Sequence, residues 1–168
     1  MTLDLTAFGW FHSIISLVAI IAGIVVVKDL LASKADGPWS LLYFVTAVAT
    51  SVTGFGFPFT QFLPSHGVGV LSLIILIAAI LARYVFHYAG PWRWIYAVGV
   101  TLGEYFLVFV LIAQAFSKVN ALHALAPTQS EPPFAVAQLI LLAIFVVLTI
   151  AAVRKFRPAV PPASLARA

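Results

Sequence analysis

Two histidines stand near the start of two apolar stretches of this chain, in similar surroundings. His12 begins the run His-Ser-Ile-Ile-Ser-Leu, and His66 begins the run His-Gly-Val-Gly-Val-Leu-Ser-Leu. Imidazole is a common ligand of metal ions and of haem iron. On parallel helices the two rings would lie at one depth as candidate axial ligands of haem b, or at a quinone site, and Gly9, Gly67 and Gly69 would admit a flat macrocycle. The alternative is that both histidines are amphipathic side chains with one end in water.

Further polar side chains fall on the same side when the chain is threaded as helices. His123 and Glu131 lie in the loop after the fourth apolar stretch, where they would complete a three- or four-ligand metal site with the two histidines. Gln114 and Gln138 lie near the outer ends of the fourth and fifth stretches and are candidate cofactor-binding residues. The chain has no cysteine, and the histidine spacing matches no metal motif. Haem b, a quinone and a metal ion therefore all stay open.

A carboxyl group lies in the middle of the fourth stretch. Glu104 stands about 18 Å along a helix that begins at Trp92. A charged side chain is costly at that depth, so Glu104 should face the interior of a bundle in its neutral form. Thr46, Thr50 and Thr53 repeat at i, i+4 and i+7, so they line one face of the second stretch at a similar depth. We predict that Glu104 meets this threonine face, either as hydrogen-bonding glue between helices or as a proton carrier.

The elements that carry these residues are apolar enough to need lipid as their solvent. Of 168 residues, 63% are apolar and only 8% are charged, whereas soluble domains carry about 25% charged residues. We therefore predict an all-α fold, a polytopic transmembrane helical bundle, with residues 1–153 as one domain. Glycines and prolines divide it into five predicted spans of about 20 residues each. The predicted spans are residues 8–27, 39–57, 67–86, 92–116 and 134–153.

The basic residues predict an orientation. Eight of the nine Lys and Arg residues fall on one side of the five-helix threading, so the N-terminus should be outside and the C-terminus cytoplasmic. Arg83 and His87, one turn apart at the inner end of helix three, should reach lipid headgroups. Residues 154–168 are basic and contain three prolines, which predicts a cytoplasmic tail, disordered from Phe156 onward. Basic residues at the ends of spans read as topology signals, so nucleic acid is not an expected partner.

Four stretches of the chain carry distinctive motifs. They are Ala-Thr-Ser-Val-Thr-Gly-Phe-Gly-Phe-Pro-Phe at 49–59, Pro-Ser-His-Gly-Val-Gly-Val at 64–70, Ala-Arg-Tyr at 82–84, and 125–134, which ends Ala-Pro-Thr-Gln-Ser-Glu-Pro-Pro-Phe. Together they resemble a family of small, uncharacterised bacterial inner-membrane proteins, over about residues 12–138. The chain departs from that family's pattern at Leu107, where the family carries Asn, and at Asn120, where Pro is usual. The resemblance implies a multi-pass protein of the bacterial inner membrane and no particular activity.

Motifs of common enzymes are missing from the sequence. It contains no Gly-x-x-x-x-Gly-Lys loop, no Gly-x-Ser-x-Gly elbow and no His-Glu-x-x-His helix. Five spans without clear inverted repeats also argue against a secondary transporter acting alone. We therefore favour a non-catalytic protein, an accessory or structural subunit of a larger membrane complex or a homo-oligomer. The alternative is a redox membrane protein that binds haem b, a quinone or a metal at the His12/His66 site.

Overall fold

The computed structural model describes residues 7–35, 37–57 and 64–158, and most of them are helical. Six α-helices follow one another, and no strand occurs within these ranges. The predicted all-α class is therefore confirmed. The helices are α1 (Ala7–Leu31), α2 (Pro38–Gly54), α3 (Pro64–Tyr84), α4 (Trp92–Lys118), α5 (Asn120–Leu125) and α6 (Pro132–Lys155).

Several helix ends differ from the predicted ones. α1 continues through Lys28 and Asp29, because charged side chains near a helix end are compatible with helical backbone. α2 stops at Gly54, three residues before its predicted end. Proline occupies the first turn of α2 and of α6, where its missing N–H has no intrahelical partner to lose. The six-residue α5 lies in the loop after α4, where the sequence pattern predicted no helix.

Four helices are long and apolar enough to cross a membrane. They are α1, the His66–Tyr84 part of α3, α4 and α6, with 25, 19, 27 and 24 residues. A bilayer core requires about 20 residues of α-helix, so all four lengths are suitable. These helices are those of a multi-pass membrane protein, and lipid contact accounts for the large apolar side chains on their outer surfaces. α2, with 17 residues, is not among the four.

Neighbouring long helices run antiparallel to one another. The start of α1 lies beside the end of α2, where His12 Nδ1 is 2.8 Å from Thr53 Oγ1. Phe44 in the first half of α2 packs on Tyr84 at the end of α3, with ring centroids 6.4 Å apart. α4 is the central helix, since it packs against α1, α3 and α6. The bundle interior is therefore built around α4, the helix that carries the buried carboxyl group.

Small residues allow α4 to approach its neighbours closely. A Cβ built on Gly99 would stand 2.9 Å from the Cβ of Ala79 in α3, closer than two such atoms can pack. A Cβ on Gly103 would stand 2.6 Å from the Tyr43 hydroxyl oxygen of α2 and 3.1 Å from Leu76 of α3. Helices within a membrane associate through such close van der Waals packing, because burial from water contributes little there.

The segment after α6 closes the end of the bundle that carries Arg83, Arg93, Arg154 and Lys155, which we call the basic end. Phe156 is fully buried, and its ring centroid lies 5.4 Å from that of Tyr96. Arg93 donates hydrogen bonds to the carbonyl oxygens of Val153 and Phe156, at 3.0 and 2.6 Å. The prediction of a disordered tail from Phe156 onward is wrong at its first residue, because a large aromatic ring gains free energy from burial. Residues 159–168 of the predicted tail lie outside the described residues.

Arg83 points into the bundle and not toward lipid headgroups. Its guanidinium donates hydrogen bonds to the Ala35 carbonyl and to the Tyr88 hydroxyl, the latter at 2.7 Å. α3 ends at Tyr84, and His87 follows in a turn with a positive φ of 47°. Arg83 and His87 therefore share no helix face. The prediction is wrong for Arg83, whose guanidinium has partners within the bundle, whereas for the exposed His87 it stays a prediction.

Candidate functional site

Glu104 lies in the centre of the bundle with its carboxyl group enclosed. The residue is 1% exposed, and neither carboxyl oxygen has a hydrogen-bond partner among the described residues. A Cβ built on Gly23 of α1 would stand 1.8 Å from Glu104 Oε2 and 2.9 Å from Tyr43 Cε2 of α2. The carboxyl group therefore occupies the space that the missing side chain of Gly23 leaves, beside the ring edge of Tyr43. Three helices, α1, α2 and α4, form this site.

No hydrogen bond joins Glu104 to the threonine face of α2, contrary to the prediction. The Thr46 and Thr53 hydroxyls each donate to a carbonyl of their own helix, at 2.7 Å. The Thr50 hydroxyl is buried and finds no partner within the described ranges. Tyr43 lies on nearly the same side of α2 as Thr46 and Thr50, so the difference lies in position along α2: the Tyr43 ring is the part of that face beside the carboxyl group.

Hydroxyl groups of α2 and α4 continue from Glu104 toward the basic end. The Tyr43 hydroxyl donates a 3.2 Å hydrogen bond to a backbone carbonyl of α4. One turn further along α2, the buried Ser40 side chain lies near that of Tyr96, whose hydroxyl accepts a 3.5 Å bond from Arg83. Our sequence analysis missed these residues. The signal that could have found them is that a tyrosine or serine inside an apolar helix needs a hydrogen-bond partner.

The structure brings His12 and His66 to the same end of the bundle, which we call the histidine end. The end of α2 and the residues after it lie against both rings. His12 Nδ1 is 2.8 Å from Thr53 Oγ1, and its ring packs edge-on against Phe57 with centroids 5.1 Å apart. His66 is buried, and its ring stacks on Phe55 with centroids 5.7 Å apart. Each imidazole is therefore part of a contact with the end of α2.

This packing does not fit a haem held by both imidazoles. A macrocycle between His12 and His66 would have to displace the aromatic rings that follow α2. Gly69, which would have let a macrocycle approach the α3 backbone, faces the Phe55 ring instead, with ring atoms 3.2 Å from a Cβ built there. The small residue accommodates an aromatic side chain of this same chain, so no reaction step through a haem is derived.

The predicted four-ligand metal site is not formed. No three His, Asp or Glu side chains come together in the part of the chain that the structure describes. His123 is exposed on α5. The Glu131 carboxylate accepts hydrogen bonds from the backbone N–H groups of Thr128 and Ser130, at 3.2 and 3.1 Å. Desolvation raises the pKa of Glu131, but a 2.9 Å bond from the Thr128 hydroxyl together with these backbone bonds outweighs it and holds the pKa below its ordinary value. The loop thus uses Glu131 to close its own turn.

The two glutamines have different surroundings. Gln138 Nε2 donates a 3.2 Å hydrogen bond to the Phe109 carbonyl, which joins α6 to α4. Its Oε1 is buried and has no hydrogen-bond partner among the described residues. Gln114 is exposed near the end of α4. The structure therefore gives Gln138 a role in helix packing, whereas Gln114 lies at the surface.

No protein-family model matches this chain, and no curated protein or solved structure matches it either. The resemblance to small bacterial inner-membrane proteins therefore stays a prediction from the motifs. The functional argument consequently rests on the geometry of the chain itself, and above all on the enclosed carboxyl group of Glu104.

Proposed function

We propose that this chain is an accessory subunit of a larger membrane complex in the bacterial inner membrane, and that it holds one exchangeable proton at Glu104. The observation that carries the proton site is the enclosed carboxyl group, which has no hydrogen-bond partner among the described residues. The motifs of the sequence support the location. The proposed role of Glu104 in proton exchange follows from the free-energy cost of placing a lone carboxyl group in a membrane interior.

An ionised Glu104 would have neither water nor a hydrogen-bond donor in the described surroundings. Transfer of an unpaired carboxylate into apolar surroundings costs tens of kcal/mol in the Born limit, so such a group is protonated instead. The neutral acid still loses roughly 1–3 kcal/mol for an unsatisfied polar group. A role as glue between helices would require hydrogen bonds, which Glu104 does not make to the described residues. Uptake and release of a proton is chemistry that a lone carboxyl group can perform.

Infrared spectroscopy of the reconstituted protein tests the proton site. A protonated carboxyl group absorbs in a C=O band separate from those of carboxylates. We expect such a band in the wild type, its loss in Glu104→Gln and its retention in the control variant Glu131→Gln. Raising the pH should remove the band reversibly. A band that never changes with pH and never shifts in D2O would make Glu104 a static structural group and refute the proposal.

We further propose that α2 also crosses the membrane, which gives five spans with the N-terminus outside and the C-terminus in the cytoplasm. The 17 residues of α2 are at the lower limit for a span, and α2 packs against the two apolar helices α1 and α3. Seven of the eight described Lys and Arg residues belong to one end of the bundle, and the positive-inside rule favours the cytoplasm for that end.

Reporter fusions at both chain ends test this topology. We expect an external signal from the N-terminal fusion and a cytoplasmic signal from the C-terminal fusion. A cytoplasmic N-terminus with an external C-terminus would contradict the orientation. Two ends on the same side would contradict the count of five spans.

The outer surface of α6 supports the role as a subunit. α6 packs mainly against α4, and a shallow apolar groove on it is lined by Ala143, Ile144, Val147 and Leu148. A helix of another subunit, or of a second copy, can pack into such a groove beside the small side chain. Ala143→Phe should fill the groove and weaken co-purification of a stoichiometric partner. Ala135→Phe is the matched control, since at about 3.6 residues per turn it lies on the opposite face. Equal recovery of partner with both variants would refute this surface.

A redox protein at the histidine end is the second candidate, with a quinone favoured over haem b or a metal ion, because the packing there does not fit a haem held by both imidazoles and brings no three ligands together among the described residues. The observation in its favour is that His12 and His66 lie at the same end of the bundle. An absorption spectrum of the protein purified in mild detergent, with metal analysis of the same sample, separates the candidates. A Soret band lost in both His12→Ala and His66→Ala would establish haem. A colourless, metal-free protein with a stoichiometric partner would leave the accessory subunit.

A further inference from the structure

We infer that Glu104 exchanges its proton with the basic end of the bundle, and that the Tyr43 hydroxyl group carries the proton on the last step. The inference rests on the proton site proposed above and adds the route and the side of access. Ser40 and Tyr43 lie one turn apart on α2, while Tyr96 and Glu104 lie two turns apart on α4. The two pairs face each other across the α2–α4 contact, as the buried hydrogen bond from Tyr43 to α4 requires.

The neighbours of Glu104 leave one side chain that can pass a proton. α1 presents Gly23, which has no titratable group, and α2 presents Tyr43. α3 comes close to α4 at the residue before Glu104, where Leu76 packs beside Gly103. α6 contributes the Thr149 hydroxyl, which donates to Thr101 on the next turn of α4 and to its own helix. Tyr43 is therefore the titratable group, among the described residues, that faces the carboxyl from these helices.

The Tyr43 hydroxyl is held loosely enough to change partners. Its hydrogen bond to the Val100 carbonyl is 3.2 Å long, beyond the usual range for an O–H donor. The hydroxyl oxygen also lies against Gly103, where a Cβ would stand 2.6 Å from it. The Tyr43 hydroxyl therefore occupies the space that a side chain at Gly103 would fill. A hydroxyl group with one weak bond can exchange it for a bond to the carboxyl group when the flexible end of the Glu104 side chain moves toward it, since the two groups are not hydrogen-bonded in this structure.

Polar groups continue from Tyr43 to the basic end but give way to apolar packing in the other direction. The Ser40 side chain lies near that of Tyr96, and Arg83 donates hydrogen bonds to Tyr96 and to Tyr88 at the end of the bundle. The distance from Glu104 to Tyr96 along α4 is about 12 Å. Toward the histidine end, the core includes the apolar side chains of Ala19, Ala47 and Leu107, and the buried Thr50 hydroxyl has no hydrogen-bond partner among the described residues that would extend a row of bonded hydroxyls. The hydroxyl row therefore favours access from the basic end.

The proton transfer balances without any further reactant. An ionised Glu104 takes the proton of the Tyr43 hydroxyl, which forms one O–H bond and breaks another. The Tyr43 oxygen then takes a proton that arrives from water at the basic end by way of Ser40 and Tyr96. Tyr43 is neutral again, and the net change is one proton moved from water to Glu104. The Arg83 guanidinium, hydrogen-bonded to Tyr96, stabilises negative charge on that oxygen while the proton passes.

A one-sided pH step on sealed proteoliposomes tests the route. The protein is reconstituted and sorted into vesicles with the basic end facing outward or inward, and the external pH is stepped while the C=O band of Glu104 is recorded. We expect the band to follow the step quickly only when the basic end faces outward. Tyr43→Phe, which keeps the ring and removes the hydroxyl, should slow the response by about 10²-fold, the usual scale of a lost acid–base group.

Two further variants separate the route from general damage to the fold. Tyr105→Phe is the matched control, since the Tyr105 ring packs against Phe109 and Phe145 away from the site, and it should respond like the wild type. Ser40→Ala removes a hydroxyl at the next turn and should also slow the response. A wild-type response in Tyr43→Phe, with the Glu104 band still present, would overturn the route and leave the proton site standing. A wild type without any such band would overturn both.

Discussion

Gly23→Ala probes the contact between α1 and the enclosed carboxyl group. The new methyl carbon would stand 1.8 Å from Glu104 Oε2, 2.5 Å from Glu104 Cδ and 2.9 Å from Tyr43 Cε2. Atoms cannot pack at these distances, so the carboxyl group must move. It is the flexible end of its side chain, but the residue is 1% exposed and is enclosed by three helices. We therefore expect a measurable loss of stability from one added methyl group.

The magnitude follows from two opposing effects. Overpacking of a core costs about 1–3 kcal/mol. Alanine is more favourable than glycine within a helix by about 0.5–1 kcal/mol, which offsets part of that cost. Gly23→Ala should therefore lower the free energy of unfolding by about 0–2.5 kcal/mol in the wild type. In a Glu104→Ala background the clash with the carboxyl group is gone and only the 2.9 Å contact with Tyr43 Cε2 remains, so the same substitution should cost less. The coupling energy between the two sites should be about 1–3 kcal/mol.

Denaturant unfolding in detergent micelles, followed by helix circular dichroism, measures all four members of this double-mutant cycle. Gly54→Ala is the control, because a Cβ there meets its nearest atom, Cε1 of His12, at an ordinary 3.9 Å. That variant should show no coupling to Glu104→Ala. If Gly23→Ala costs the same free energy with and without the Glu104 side chain, the carboxyl group does not occupy the space beside Gly23, and the argument for the enclosed site fails.

Three further predictions concern other parts of the bundle. Gly99→Ala should lower the free energy of unfolding by about 1–3 kcal/mol, because its Cβ meets Ala79 at 2.9 Å, and Ala79→Gly should restore part of the loss in the same unfolding assay. Arg93→Gln should weaken the hydrogen bonds that hold the end of α6, so limited proteolysis should cleave near Phe156 faster than in the wild type. Because the pKa of Glu131 is lowered in the folded protein, its hydrogen bonds stabilise the loop fully at pH values above the pKa of the unfolded chain. This stabilisation is lost as the pH falls through the folded pKa. Hydrogen exchange of the loop amides should accelerate over that acidic range in the wild type and stay constant in Glu131→Gln.

Composition and the placement of charges were sufficient to predict the helical class. A chain with 8% charged residues cannot cover a water-soluble surface, so its apolar stretches had to be helices that satisfy their own backbone hydrogen bonds. The burial of Glu104 followed from counting residues along one helix, because depth depends only on the helical rise. Counting also placed His12 and His66 at one end. These properties lie along the chain and require no knowledge of which helices touch.

Only the tertiary structure decided which residues surround the carboxyl group. The threonine face indicated a side of α2, but the sequence does not give how far α2 and α4 are displaced along their axes, and that displacement decides which residue of the face meets the carboxyl group. The displacement depends on how whole side chains pack, and it places Tyr43 beside Glu104, with the missing side chain of Gly23 providing the space. At the histidine end, too, packing between helices decides which residues are in contact. Phe55 covers His66 because of the way the chain leaves α2, and that path is set by packing between helices and not by any local pattern.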